Sequence, residues 1–292
     1  MDDAAQRQHV ARVSVYVTAG VVAALGMLVL LVMLTGRLIG SDPRRGRRPP
    51  LVWTLADRRR REAWRTKRAK PSTLPGPYNT IALTYTSFDN VPDKILTQLD
   101  TFAPRHQVTF FNDEDCANYL IDHCSDALVT RYFRCRKGAH RADLFRYAWL
   151  YHHGGIYLDV KTELKAPLED VFRDPSHAYT VHSGMAKSTM YQGVVASPRG
   201  NPLFVRLLED AVRTPQLLLD FNYLLFTKRF KQLMHTSSRP WHLLQEHCVL
   251  WACDEPDRYG LCCVIRDSDG SDGGDTPPVV MNTRFADFGK VW

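Results

Sequence analysis

The stretch Gly138–Leu164, GAHRADLFRYAWLYHHGGIYLDVKTEL, decides the fold of this chain. Its first part predicts a helix that ends at the pair Gly154 and Gly155, because glycine is the residue most often found just beyond a helix. The apolar run Ile156–Asp159 that follows predicts a buried strand ending on an acid. A helix leading into such a strand is typical of α/β domains, in which ligands bind beyond the carboxyl ends of the strands.

The remainder of residues 78–292 continues this alternation of strand-like and helix-like segments, which predicts one α/β domain over the range. Further strands are predicted at Ile81–Tyr85, Gln107–Phe111, Ala178–Val181 and Tyr191–Ala196. Further helices are predicted at Pro92–Phe102, Asn112–Ile121, Asn201–Val212 and roughly Pro215–His235. The tail from Cys248 onward follows neither pattern and is predicted to be irregular.

The positive charge of the chain is confined to one segment. The whole sequence has 38 Lys and Arg against 31 Asp and Glu, a formal net charge of +7. Residues 37–70 hold 13 basic residues against 3 acidic ones, whereas residues 1–36 are neutral and the residues from 71 onward sum to −3. This distribution argues against a folded domain with a basic face for nucleic acid, so no nucleic-acid partner is expected.

Residues 13–34, VSVYVTAGVVAALGMLVLLVML, form a charge-free apolar stretch. As a helix they would be about 33 Å long, which is enough to cross a hydrocarbon core of about 30 Å. The stretch is longer than the apolar part of a signal peptide and is not followed by a small-residue cleavage site. We therefore expect an uncleaved single-pass transmembrane anchor, preceded by a short tail at residues 1–12.

Residues 35–77 are rich in arginine and proline and are predicted to be a basic stem or linker, with a short helix around 52–70. The stem is either a solvated spacer or a contact for anionic lipid. The arginines that follow the apolar stretch favour a cytosolic position for the C-terminal side, because basic residues tend to stay on the cytoplasmic face.

The chain has seven cysteines, at positions 116, 124, 135, 248, 253, 262 and 263. They include no Cys-x-x-Cys pair, so a zinc cluster is not expected. An odd number allows at most three bridges within the chain, which predicts a mixture of disulfides and buried thiols. Such a mixture is compatible with a secretory lumen without requiring one.

Four charged or polar residues in the opening stretch are candidates for a site. Asp143, Arg146 and Tyr147 share one face of the predicted helix, and Asp159 ends the strand that follows. An acid at a strand end beside a helical Asp and Arg is suited to bind a metal, a ribose or a diphosphate. The alternative is an Asp143–Arg146 ion pair within the helix and a solvated strand end at Asp159. The pattern by itself leaves both interpretations open.

The motif Asp143-Leu-x-Arg146-Tyr147, followed by Gly154-Gly155-x-Tyr-Leu-Asp159, resembles the signature of sugar-nucleotide glycosyltransferases with a DxD motif. That group includes fungal initiating outer-chain mannosyltransferases, bacterial capsule transferases and the glucosylating domains of clostridial toxins. The opening strand, the "VPD" turn at 91–93, the "NDED" segment at 112–115 and the stretch 191–204 are also similar to the family. The likeness covers about residues 80–212.

The resemblance implies a GT-A fold, in which helices flank a Rossmann-like mixed sheet. It also implies retaining transfer of a hexose or N-acetylhexosamine from a UDP- or GDP-linked donor to an acceptor hydroxyl on a glycan or glycoprotein. By position in the motif, the implied donor-binding residues are Tyr85, Asp143, Arg146, Tyr147, Gly155, Asp159 and Gln192. Tyr85 is otherwise a core aromatic, and Gln192 is otherwise a buried amide paired to backbone. Asp159 is the first acid of the motif, and the resemblance implies that it binds a divalent cation, Mn²⁺ or Mg²⁺.

The second acid of the motif is missing, since position 161 is Lys161. Asp159 can still hold the cation with help from the diphosphate and water. Alternatively, Lys161 supplies the positive charge itself as a second catalytic residue, or it ends activity and leaves a membrane-tethered protein that binds nucleotide-sugar or glycan without turnover. Strand alternation points positions 159 and 161 the same way if the strand continues that far.

Anchored members of the family usually place the catalytic domain in the Golgi lumen, which the resemblance implies for this chain. The arginines after residue 34 argue for the reverse orientation. The resemblance and the cysteines together favour the lumen.

Overall fold

The structure is a computed structural model, and it describes residues 54–250, 261–267 and 277–283. The helices are α1 (Leu55–Arg68), α2 (Asp93–Phe102), α3 (Asp113–His123), α4 (Asp126–Arg134), α5 (Gly138–His153), α6 (Leu168–Val171), α7 (Pro202–Arg213), α8 (Gln216–Phe221) and α9 (Leu225–Met234). The strands are β1 (Thr80–Thr84), β2 (Gln107–Phe111), β3 (Gly155–Asp159), β4 (Thr162–Leu164), β5 (Ala178–His182), β6 (Met190–Ser197), β7 (Trp241–Leu250), β8 (Leu261–Arg266) and β9 (Val279–Thr283).

The described strands form one mixed sheet in the order β2-β1-β3-β6-β5-β7-β8-β9-β4. Strand β1 runs parallel to both β2 and β3, and Thr84 at its end lies opposite Phe111 and Asp159. Strand β6 is antiparallel to β3, so the parallel part of the sheet ends there. The carboxyl ends of β1 and β3 therefore meet at one edge, where a crevice forms in open α/β sheets.

The sheet is curled. Strands β3 and β4 are joined in the chain by Val160 and Lys161 alone, yet the sheet order puts five strands between them. Two linking residues reach roughly 10 Å. The far edge of the sheet, where β4 pairs with β9, must therefore return to the end of β3, and Lys161 lies where the two meet.

Alternating side chains of the strands fill two hydrophobic clusters, because successive residues of a strand point to opposite faces. Ile81 and Leu83 belong to the cluster that includes α2, whereas Ala82 belongs to the cluster that includes α5, α7 and α9. On β3, Tyr157 enters the second cluster and its neighbours enter the first. This two-sided burial accounts for the apolar run that predicted the strand.

The helix expected around residues 52–70 is present as α1, and two of its arginines are buried. Arg61 is 2% exposed, and its Nη2 donates to the carbonyl oxygens of Phe88 and Val91, both at 2.7 Å. The Arg68 guanidinium donates to the carbonyl oxygens of Ala103 and Pro104 after α2. Residues 55–68 of the predicted stem are thus packed on the folded domain.

Most predicted elements are confirmed, and α5 has its predicted ends at Gly138 and His153. Two predictions are wrong. The helix predicted over 215–235 is divided into α8 and α9, because the chain leaves helical geometry at Asn222. The tail from Cys248 is not irregular, since β7 passes through Cys248 and pairs with β8, which pairs with β9. Residues 268–276 of that tail lie outside the described residues.

Cys248 and Cys263 lie opposite each other on β7 and β8 and form a disulfide. Cys116, Cys124 and Cys135 are free thiols, the first and last of them buried. This part of the cysteine prediction, a mixture of a disulfide and buried thiols, is confirmed for the residues described.

The predicted anchor at 13–34 and the tail before it lie outside the described residues. Among the helices that are described, none is both long and apolar enough to span a membrane.

Candidate active site

A cleft that is open to solvent lies at the carboxyl ends of β1 and β3. Residues 84–86, at and just after the end of β1, form one wall, and residues 159–161, at and just after the end of β3, form another. Asp113 at the start of α3 and Arg141 in α5 contribute to the lining and are joined by an ion pair of 3.2 Å. The cleft therefore presents carboxylates, hydroxyls and two cationic side chains, Arg141 and Lys161.

Asp159 lies between two cations. Its Oδ1 is 3.5 Å from Nη2 of Arg146, and its Oδ2 is 3.4 Å from Nζ of Lys161. The side chains of Asp159 and Lys161 are 16% and 15% exposed, whereas Arg146 is buried behind them. Lys161 thus lines the cleft, and Arg146 holds the carboxylate from inside the fold.

Arg146 is satisfied by buried partners on several sides. Its Nη2 is 3.4 Å from Oδ1 of Asp143, one turn back on α5, and its Nη1 donates to the backbone oxygen of Gln192. The guanidinium also lies over the Tyr157 ring, 4.3 Å from its centroid. With its donors engaged inside the protein, Arg146 is placed to position Asp159.

The carboxyl groups of Asp143 and Asp159 differ in pKa. Burial raises the pKa of Asp143 to about 7, with Arg146 opposing the shift and the negative charge of Asp159 adding to it. Burial also acts to raise the pKa of Asp159, but Lys161 and Arg146 outweigh it and hold that pKa below its ordinary value. Asp159 is therefore the ionised carboxylate of the pair at neutral pH.

The strand ends at Asp159, and Val160 with Lys161 forms a turn into β4. The two side chains meet nonetheless, because the turn brings Nζ of Lys161 back onto the carboxylate. The same ammonium lies 5.7 Å from the centroid of the Tyr191 ring on β6, within the range of a cation–π contact. Lys161 is thus held from two elements at the mouth of the cleft.

Gly193 on β6 leaves room for the Tyr191 ring and the Asp159 carboxylate. A Cβ atom at position 193 would lie 2.2 Å from the Tyr191 hydroxyl oxygen and 2.8 Å from Oδ2 of Asp159. Any side chain there would displace the carboxylate or the ring. The glycine is therefore part of the support of Asp159.

Tyr147 and Gln192 pair with each other inside the fold. The Tyr147 hydroxyl donates to Oε1 of Gln192 at 2.5 Å, and both residues are buried. Nε2 of Gln192 has no hydrogen-bond partner among the described residues. Neither side chain lines the cleft, so both stand behind Arg146.

The structure brings together most of the residues predicted for the site. Asp143, Arg146, Asp159 and Lys161 form one chain of contacts, and Tyr85 lines the cleft beside them while packing on the core. Gly155 is the exception, because it begins β3 at the opposite end from Asp159. Its φ of +93° and the 2.4 Å that would separate its Cβ from Oγ1 of Thr80 give it a structural reason to be glycine.

Sequence reasoning did not single out the other residues of the cleft. Arg141 precedes the predicted motif on the same helix, and Asp113 lies in the acidic first turn of α3. Two of the hydroxyls are supplied by Thr84 and Thr86, on either side of Tyr85. A basic residue five positions before Arg146 on the same helix was the available signal, but its contact with Asp113 depends on how α3 and α5 pack.

The residues around Asp159 do not fit a divalent cation. Both carboxylate oxygens already face cationic nitrogens, and Lys161 occupies the position of the second acid. Repulsion between unit charges 4 Å apart is about 4 kcal/mol near a protein surface, and it doubles for a divalent ion. Among the described residues, the one group of three ligand atoms close enough to share a metal is Glu246, Cys248 and Cys263, whose two sulfurs are joined in the disulfide.

The chain was compared with known proteins. It is similar to a solved structure named PaToxG Glycosyltransferase, with 15% sequence identity and a TM-score of 0.40 over 61% of this chain and 75% of that one. A comparison with curated proteins gives no match. Residues 88–178 match a family model described as the glycosyltransferase sugar-binding region containing the DXD motif. Residues 88–178 are therefore similar to the sugar-binding region of DXD-motif glycosyltransferases, in agreement with the resemblance found in the sequence.

Proposed function

We propose that this protein is a glycosyltransferase that moves a hexose or N-acetylhexosamine from a UDP- or GDP-linked donor to a hydroxyl of a glycan or glycoprotein. The observation that carries the proposal is the Asp159–Lys161 pair at the end of β3, in a cleft that also contains Tyr85. The family match over residues 88–178 includes that pair.

The proposal includes a GT-A fold with the nucleotide in the crevice between β1 and β3. Support comes from the parallel pairing of these strands and from the change of direction at β6, since nucleotides bind beyond strand ends at such a point. Tyr85 follows β1 and offers a ring for the base. Arg141 and Lys161 offer positive charge for the diphosphate.

In the proposed reaction the bond between the anomeric carbon and the diphosphate oxygen breaks, and its electron pair stays on that oxygen. The acceptor hydroxyl oxygen bonds the anomeric carbon on the same face, so configuration is retained, and its proton passes to the departing phosphate oxygen. Cationic groups that face this oxygen stabilise its growing charge and lower the barrier. Asp143 and Arg146 keep Asp159 in place from inside the fold.

Replacement of Asp159 by alanine tests the proposal. We expect sugar release from a panel of UDP- and GDP-sugars by the wild-type protein and a loss of about 100-fold or more in Asp159→Ala, because Lys161 loses its partner. Glu209→Ala, which removes an exposed carboxylate paired with Arg213 on α7, is the matched control and keeps full activity. Equal turnover by wild-type and Asp159→Ala proteins would remove Asp159 from the site.

Lys161 also favours a second candidate, a protein that binds nucleotide-sugar or glycan without turnover. Calorimetry with UDP- and GDP-sugars, run beside the release assay, separates the two. Binding together with sugar release supports the transferase, and binding without release of any sugar supports the second candidate.

Membrane anchoring through residues 13–34, with the domain in the Golgi lumen, is part of the proposal. The length of the apolar stretch and the Cys248–Cys263 disulfide support it, because disulfides persist in oxidising compartments. The arginines after residue 34 favour the reverse orientation. We expect the domain to resist protease in sealed microsomes until detergent is added, and digestion without detergent would contradict the lumenal orientation.

A further inference from the structure

We propose that the ammonium group of Lys161 binds the donor diphosphate in place of a divalent cation, and that Asp159 acts as the positioning residue for Lys161 and not as a metal ligand. The inference rests on the proposed glycosyltransferase function. In this proposal the cation Lys161 contacts the diphosphate, and the anion Asp159 holds Lys161 in place.

The geometry around Asp159 supports this division of roles. Arg146 pairs with Oδ1 of Asp159 from the buried side, and Lys161 pairs with Oδ2 from the cleft side. A metal ion at this carboxylate would have to displace one of them or lie against it. Arg146 is fixed by Asp143 and by the backbone of Gln192, and Lys161 is fixed by the short turn between β3 and β4.

Lys161 has neighbours on two other elements of the fold besides the residues of its own turn. The Tyr191 ring lies on one side, and Asp159 lies on another at 3.4 Å. Glu246 on β7 is held by the backbone amide of Gly184 and the hydroxyls of Ser183 and Thr283. It is near enough for Lys161 to lower its pKa, although burial raises that pKa overall. A lysine held by a carboxylate and a ring keeps its positive charge at the mouth of the cleft.

The charge balance of the cluster is consistent with a cation that is built in. The Asp159 carboxylate already has two cationic partners, Arg146 and Lys161, and Arg146 is shared with Asp143. A Mn²⁺ ion would add two positive charges beside two existing cations. A diphosphate instead gains an attractive partner at Lys161 and at Arg141, which also lines the cleft.

The first test measures UDP and GDP binding to the full chain by calorimetry, in EDTA and in MnCl₂. We expect the dissociation constant of the wild-type protein to differ by less than about twofold between the two conditions. Titration with MnCl₂ alone is expected to give no saturable heat. Binding that requires Mn²⁺, or stoichiometric Mn²⁺ binding that Asp159→Ala removes, would overturn the proposal.

The second test restores the missing acid. In Lys161→Asp we expect nucleoside diphosphate affinity in EDTA to fall by about tenfold or more and to return with Mn²⁺, because two carboxylates then share the position. The matched control is Lys165→Asp, which changes an exposed lysine paired with Glu163 just after β4 and leaves binding metal-independent. Affinity of Lys161→Asp in EDTA equal to that of the wild-type protein would contradict the role of Lys161.

These binding measurements are independent of turnover. Metal-independent binding of UDP or GDP without sugar release supports the role of Lys161 and contradicts the transferase proposal. Turnover that needs Mn²⁺ for donor binding supports the transferase proposal and overturns the role of Lys161.

Discussion

Asp143 is a carboxyl group whose proton affinity depends on folding. Burial raises its pKa from an ordinary value of 3.8 to about 7. An acid that holds its proton more tightly when folded stabilises the fold below its unfolded pKa, and that stability is lost as the pH rises through the folded pKa. The window for Asp143 is therefore pH 4 to 7.

Asp143→Asn is expected to remove this dependence. Relative to the variant, the wild-type free energy of unfolding should fall by about 2 kcal/mol between pH 5 and pH 8, since one pKa unit corresponds to about 1.4 kcal/mol. Urea unfolding of both proteins at the two pH values measures the difference. Parallel pH dependences in the two proteins would show that Asp143 has an ordinary pKa in the fold.

At the scale of the element, the turn from α5 into β3 depends on its glycine pair. Both glycines have positive φ, and at Gly155 a Cβ would lie 2.4 Å from Oγ1 and 2.7 Å from the carbonyl oxygen of Thr80 on β1. The close approach of these backbones is what lets β1 and β3 pair and align Thr84 with Asp159.

Gly155→Ala is expected to lower the free energy of unfolding by about 3 kcal/mol, because it adds a steric clash to the cost of positive φ. Gly200→Ala is the matched control, since Gly200 also has positive φ but nothing within 4 Å of its added Cβ. The control should lose about 1 kcal/mol. Thermal or urea unfolding compares them, and equal losses would mean that the contact with Thr80 relaxes at little cost.

At the scale of the whole molecule, helix α1 extends the domain beyond the boundary expected at residue 78. Arg61→Ala removes the buried guanidinium that donates to the carbonyl oxygens of Phe88 and Val91, and it should cost about 2 to 4 kcal/mol. Arg60→Ala is the control, because Arg60 is 64% exposed and pairs with Asp93 in solvent, and it should cost less than about 1 kcal/mol. Similar midpoints in urea unfolding would indicate that α1 adds no stability to the domain.

The sequence by itself determined the elements whose signals are local. The ends of α5 follow from its helical pattern and from Gly154, and β3 follows from an apolar run that both faces of the sheet bury. The spacing of Asp143 and Arg146 placed them on one helix face, and the structure brings both to Asp159. These features depend on neighbouring residues, which is why the sequence alone predicts them.

The tertiary structure decided what depends on distant residues. Strands β7 to β9 exist through pairing with one another, and the curl of the sheet returns β4 to the end of β3. Lys161 meets Asp159 through a turn and not through continued strand alternation. Gly155 has the right motif position but lies at the wrong end of its strand to reach the cleft. The sequence shows that Lys161 replaces the second acid of the motif. The position of its charge is fixed only by the turn after β3 and by the packing of β6 beside that turn, which bring it to Asp159 and Tyr191.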